Sequence, residues 1–518
     1  MSELIELLGL FAAALILASL ARRVGAPYPV FLALGGALLA LLPEAPSFAI
    51  PPDLVLALFL APVLLVAAYG TSIRDLRDNW APVTSLVVGA VVLTALGVAL
   101  LLRALVPDMP WAAAIALGAI VAPPDAVSAT AVLRPLHPPQ RILTILEGES
   151  LLNDASALLI YRLAVGAVAA GGFSLGTVAP AFLVGVAGSF VAGPAFGWAV
   201  AQLWARIHHV PTSIVVQFVT TFSVWILAEA SGLSAVLTMV AYAMTMARLT
   251  PDTIPARVRL PTYAVWETTV FAMNILAFIF IGLQLRPILA ELAFEERRLY
   301  VITGVSVLVA VIVLRILWYM FCNACFRWRE RREGFHLPRP MLQASVGGGL
   351  VISWSGMRGI VSLATALVLP DGFPYRDLIV FVAFAVVLGT LGIQGFTIKP
   401  LLRWIKLHDE DPVGHEVSVA RERALHAALA TFASDGSALA ESIRQELTAH
   451  FAGENADEEG DKIRSLRHAH SDIHGGALHA ARQAILVMRA NDEIGEDAFH
   501  QLEVELDWLD MANNSPRS

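Results

Sequence analysis

The sequence predicts an all-α, polytopic membrane protein with about 13 transmembrane helices, followed by a helical cytoplasmic tail. Three observations lead there. Of 518 residues, 57% are hydrophobic and only 15% charged, and the mean hydropathy is +0.69; a soluble globular domain is about 45–50% apolar and about 25% charged. Apolar runs near the ~20 residues that cross a bilayer as a helix follow one another up to about residue 402. Lys and Arg gather on alternate loops between those runs. The same composition, with 2 cysteines, excludes a disulfide scaffold, a disordered chain and a basic nucleic-acid binder. The formal charge of −8 is unevenly held. Residues 1–410 carry 26 Lys+Arg against 23 Asp+Glu, and residues 411–518 carry 9 against 20.

The expected spans lie near 3–21, 27–43, 53–70, 82–105, 111–133, 142–169, 177–205, 212–230, 233–247, 266–286, 299–325, 342–369 and 376–402. The first has no basic stretch before it and Arg22-Arg23 after it, so it reads as a retained helix rather than a cleaved signal. Small residues in the sixth and seventh (Gly166, Gly185, Gly188, Gly193, Ala195) suit close helix packing in lipid. With the N-terminus outside, the inner loops and the segment after the last span hold eighteen Lys+Arg and the outer loops five, which fixes a cytoplasmic C-terminus. Six spans, a linker span and six more place the second set upside down relative to the first, the inverted-repeat plan of many secondary transporters.

That plan predicts interrupted helices at corresponding places. Span five contains Val121-Ala122-Pro123-Pro124-Asp125, and span twelve Ser355-Gly356-Met357-Arg358-Gly359. Two successive prolines remove amide donors and break a helix; Gly356 and Gly359 flanking an Arg permit a break. The organisation is therefore a membrane domain, 1–405, and an acidic tail, 406–518. In the tail, apolar residues at helical spacing, such as Leu439, Ile443 and Leu447, predict about three amphipathic helices.

Ionisable residues inside spans are the informative ones, because each costs about 2.5–3.5 kcal/mol or more at the bilayer centre. The densest group is Glu147-Gly148-Glu149-Ser150-Leu151-Leu152-Asn153-Asp154 in span six. On a helix Ser150 and Asp154 share a face, and Glu149 and Asn153 share the next one. A carboxylate, a hydroxyl and an amide oxygen in a dry place make a site for a hard cation. Burial penalises the charged form of any carboxylate, so one such group can hold a proton or a cation in turn.

Gly148-Glu149-Ser150-Leu151-Leu152-Asn153-Asp154-Ala155 resembles the signature of the Na+/H+ exchanger (monovalent cation:proton antiporter-1) family, bacterial type. Val121–Val127, Ser355–Gly359 and Gln394–Pro400 resemble its fifth-, twelfth- and thirteenth-helix motifs, so the likeness covers about residues 5–405. It implies a homodimeric transporter, not an enzyme, of the bacterial inner membrane that exchanges Na+ for H+ by alternating access, with no cofactor, no ATP and no nucleic acid. It implies that Asp154 binds cation and proton in turn, and that Asp125 and Ser150 complete the coordination, with Asp154 and Asp125 as the Na+ ligands. Asn153 stands where electrogenic relatives carry a second Asp, which implies one-for-one exchange. Glu149 is implied to pair with Arg315, and Arg358 to offset charge where the two broken helices cross. Family members often have Thr-Asp-Pro where this chain has Pro124-Asp125-Ala126, so the Thr hydroxyl is lost here. K+ or Li+ is the alternative cargo, and a cation channel the rival of another class.

Other features take structural readings. Asp125 is also a good helix cap after a break. Arg162 is open between interface snorkelling and an internal pair, and Glu229 and Glu267 read as interfacial. Cys322 and Cys325 form a CxxC, but with no other cysteine they read as packing. Residues 411–518 hold eight of the 13 histidines without the spacing of a metal site. Gly347-Gly348-Gly349 lacks the lysine of a phosphate loop.

Overall fold

The structure, a computed structural model, describes residues 2–24, 26–42, 52–71, 73–136, 138–169, 175–207, 209–253, 256–290, 297–333, 345–405 and 429–430. Those residues hold helices and no strand. In chain order these are α1 (Ser2–Val24), α2 (Tyr28–Ala40), α3 (Pro52–Tyr69), α4 (Ile73–Asp78) and α5 (Trp80–Thr84), then a π-helical turn (Ser85–Ala90) leading into α6 (Val91–Leu105). Next come α7 (Trp111–Val121), α8 (Ala126–Leu133), α9 (Gln140–Ala169), α10 (Leu175–Trp204), α11 (Val210–Ala230), α12 (Ala235–Thr253), α13 (Ala256–Leu283) and α14 (Leu285–Ala290). Last are α15 (Arg297–Glu333), α16 (Val346–Trp354), α17 (Ile360–Leu367) and α18 (Arg376–Ile405). Seven helical segments among the described residues are long and apolar enough to cross a membrane, and shorter apolar helices lie between them. The chain divides into two compact units, Met1–Glu410 and Asp411–Ser518. The expected tail helices and histidines lie outside the described residues, apart from 429–430.

The helices sort their side chains as lipid demands. On α15 the exposed stripe Val305, Val309, Val313, Leu317 and Phe321 repeats every four residues, and the opposite stripe Val307, Val311, Arg315 and Tyr319 is buried. An arginine thus occupies a position the pattern reserves for a hydrophobe. Small residues set the closest approaches. A Cβ on Gly282 would run into the Ala33 carbonyl of α2, and one on Gly118 into the Ala95 carbonyl of α6. One on Gly193 would stand 2.7 Å from the Thr238 carbonyl of α12, whereas Gly166 faces open space and plays no such part.

Two apolar cores result. One gathers α1, α2, the inner halves of α6–α9, the end of α13, and α15–α18. The other gathers α3, α10, α11, α12 and the start of α13 around Trp225, Met239 and Trp266. Helix α9 contributes to both, Ile145 and Tyr161 to the first and Leu151 to the second. Near the start of the fourth expected span, the Trp318 indole N–H of α15 donates at 2.9 Å to the Ser85 carbonyl at the head of the π turn.

Candidate functional site

Both expected breaks are present. Helix α7 stops at Val121, and Ala122-Pro123-Pro124-Asp125 carries the chain to α8, whose first turn is capped by the Asp125 carboxylate. Helix α16 stops at Trp354, and Ser355-Gly356-Met357-Arg358-Gly359 leads into α17. The two interruptions meet main chain to main chain, the Asp125 N–H donating to the Met357 carbonyl at 2.6 Å. Irregular backbone at membrane depth persists only where protein or a cavity satisfies it, and here the partners are specific. The Arg358 guanidinium donates to the carbonyls of Val121 at 2.9 Å and Ala122 at 3.1 Å, and also to that of Gly356. The Arg358 backbone N–H donates to Thr390 Oγ1 of α18 at 3.0 Å. The Asn153 amide donates to the Pro124 carbonyl at 3.0 Å, while its Oδ1 is buried without a partner. A Cβ on Gly359 would overlap the Asp125 carboxylate, so glycine is required at that contact.

Asp125 accepts from the Val127 N–H at 3.0 Å and from the Ser128 hydroxyl at 2.5 Å. Both its oxygens thus accept hydrogen bonds from the first turn of α8. Glu149 and Arg315, 1% and 2% exposed, form a two-pronged pair, with Nη1–Oε1 at 2.5 Å and Nη2–Oε2 at 2.8 Å. Arg315 donates further to the carbonyls of Ser353 at 3.2 Å and Ile352 at 3.3 Å, joining α9, α15 and the end of α16.

Asp154 differs from every other carboxylate of this region. It is 7% exposed and has no ion-pair partner among the described residues. It lies on the wall of a cavity of about 10 Å³ lined also by Ala119 and Ile120 of α7, Pro123 of the first break, Tyr161 of α9, and Ser362 and Thr365 of α17. That is room for about one water-sized body. Ser150, half-buried one turn earlier, is not among the lining residues. The structure therefore brings Asp154, Pro123 and α17 together at the cavity and leaves Asp125, Asn153 and Arg358 to hold the crossing beside it. Among the described residues no group of three or more His, Cys, Asp and Glu is arranged to hold a metal ion.

The remaining singled-out residues are peripheral. Glu147 pairs with Arg134 at 2.8 Å where both are partly exposed. Arg162, Glu229 and Glu267 are exposed. Cys322 accepts from the Ser85 hydroxyl at 3.1 Å, beside the π turn. Sequence reasoning missed Ser362, a lone serine in an apolar run.

The family described as "Sodium/hydrogen exchanger, transmembrane" matches residues 10–404. A Mycobacterium tuberculosis (strain ATCC 25618 / H37Rv) protein carrying the name of an uncharacterized Na+/H+ exchanger is 30% identical, over 97% of this chain and 95% of its own. A sodium, potassium, lithium and rubidium/H+ antiporter of Bacillus pumilus is 30% identical over 73% of this chain and 57% of its own. The solved sodium proton antiporter MjNhaP1 of Methanocaldococcus jannaschii superposes with a TM-score of 0.60 at 16% identity, over 77% of this chain and 98% of that one. A matching family over most of the chain, on a fold shared with a solved antiporter, leaves one conclusion: the chain belongs to the sodium/hydrogen exchanger family and is a cation/proton antiporter, a membrane transporter rather than an enzyme.

Proposed function

We propose that the protein exchanges Na+ for H+ one for one across a bacterial inner membrane, cation and proton competing for Asp154 in an alternating-access cycle. The observation that carries this reading is Asp154 itself, a buried carboxylate left without a counter-ion at a small cavity beside two helix breaks. An ionisable group at membrane depth is costly and marks a pathway or a relay. Charge balance supports the stoichiometry. Glu149 is neutralised by Arg315, whereas Asp154 has no ion-pair partner among the described residues, so one monovalent cation or one proton balances it. Asp125, whose oxygens each accept one bond from α8 here, keeps a further lone pair on each for the cation; Ser150 and Asn153 flank the same turn of α9.

The broken helices also support the six-plus-one-plus-six inverted plan, and the Arg distribution supports an N-terminus outside and a cytoplasmic, regulatory tail. The membrane-embedded part is 1–405, and two copies form a dimer. K+ is the second candidate cargo, because the Bacillus pumilus relative's name includes potassium, lithium and rubidium beside sodium. Everted vesicles test the reading. Adding NaCl relieves a respiration-generated pH gradient in vesicles carrying the protein, and Asp154→Asn, expressed at the same level, abolishes the response. Failure of Na+, K+ and Li+ alike to relieve the gradient overturns exchange, and full activity of Asp154→Asn overturns the site.

A further inference from the structure

The cavity beside Asp154 has a second polar wall. Ser362 of α17 lines it, is 2% exposed, and its Oγ is buried without a hydrogen-bond partner. Neighbouring hydroxyls are all satisfied locally. Thr365 donates to the Val361 carbonyl at 2.8 Å, Ser355 to Val351 at 2.7 Å, Ser353 to Leu350 at 3.0 Å and Thr390 to Val386 at 2.8 Å. A serine inside a helix ordinarily reaches the carbonyl three or four residues back. Ser362 makes no such bond, and the residue four before it, Arg358, lies outside α17. It stands in the first turn of α17, and the residues before it are the extended segment ending at Gly359, whose φ and ψ are −127° and −159°. The helix break that shapes the crossing thus also leaves one hydroxyl unclaimed, facing the cavity of an unpaired carboxylate. A buried hydroxyl without a partner costs about 1–3 kcal/mol, and an orphan of this kind in a native protein calls for a reason.

We infer that Ser362 is a specificity-determining ligand for the transported cation. Its Oγ coordinates the ion from α17 opposite the Asp154 carboxylate of α9, so the ion bridges two helices that share no hydrogen bond at this point. When a proton replaces the cation, the Asp154 carboxyl O–H donates to the same Oγ. One oxygen therefore serves both occupants of the site. This rests on the assignment of Asp154 as the exchange site. Removing one hard oxygen from a dry site weakens binding most for the ions that lose most hydration on entering it, Li+ and Na+, and least for K+.

The test uses the full-length protein purified into liposomes, with apparent KM and maximal rate measured for Li+, Na+ and K+. Ser362→Ala raises the KM for Li+ and Na+ about tenfold, the factor that corresponds to about 1.4 kcal/mol of binding. The KM for K+ rises less, and the maximal rate stays within about twofold. Ser362→Thr, which restores the oxygen, returns the KM for Na+ toward that of the parent. Unchanged KM values for all three ions in Ser362→Ala overturn the inference, as does a fall in maximal rate at constant KM, the mark of a structural role alone. Asp154→Asn is assayed alongside: if it still exchanges, the site assignment itself has failed, whereas an inactive Asp154→Asn beside an unaffected Ser362→Ala refutes the role of Ser362 only.

Discussion

Replacing Glu149 with Gln removes the carboxylate from a guanidinium that is 2% exposed and leaves Arg315 with neutral acceptors alone, one amide oxygen and the Ile352 and Ser353 carbonyls. The pair is two-pronged at 2.5 and 2.8 Å, so both oxygens are lost as charged acceptors together. Breaking a buried pair from one side costs about 3–5 kcal/mol, because an uncompensated charge stays buried, whereas replacing both partners by neutral groups of similar size is often close to neutral. Glu149→Gln and Arg315→Met are each expected to lower stability by about 3–5 kcal/mol, and the double variant to recover at least half of the summed loss. The assay is reversible unfolding of purified protein in mixed micelles of rising SDS fraction, followed by tryptophan fluorescence, with the coupling read from the four-protein cycle. Single variants within about 1 kcal/mol of the parent would refute the reasoning, as would a double variant whose loss is the sum of the two singles.

Arg358→Lys leaves one ammonium where a planar fork serves three carbonyls on two broken helices, so melting temperature falls and transport drops more than about tenfold; parental transport would contradict the assigned contacts. Gly359→Ala places a methyl on the Asp125 carboxylate and costs about 1–3 kcal/mol, read as lost thermal stability. Gly282→Ala forces α2 and α13 apart by the same order, with no change in cation KM, because the contact is remote from the cavity. Competition at one carboxylate makes the apparent KM for Na+ rise as the pH falls, by about tenfold per unit at the acid end, with the saturated rate constant. A falling saturated rate at constant KM would exclude simple competition.

Most of what locates the site was legible in the chain. Two prolines with no amide to donate must break a helix, so the Val121–Asp125 interruption follows from residue chemistry alone, and Gly356 and Gly359 around Arg358 mark the second. Glu149 and Arg315, far apart in sequence, were linked only through the family resemblance; each is an unaffordable charge in an apolar run, which says that a partner exists without saying which. The targets of Arg358 were not legible, because carbonyls belong to every residue and carry no signature. Asp125 was open between ligand and cap, and the structure has it capping α8. Ser362 was illegible for a plainer reason. In Ile360-Val361-Ser362-Leu363 nothing distinguishes it from a serine bonded to its own helix, and only the structure shows that it makes no such bond.

The crossing of the broken helices is held through carbonyls, those of Val121, Ala122, Gly356 and Met357, and an N–H, that of Asp125. Every residue type brings the same carbonyl, so these bonds make no demand on the side chains at 121, 122 and 357, which are buried and answer to packing alone. The side-chain chemistry that the joint does fix is narrow, a guanidinium at 358 and a glycine at 359. Searches for distant relatives of this chain should therefore weight those few positions above the apolar background in which they sit.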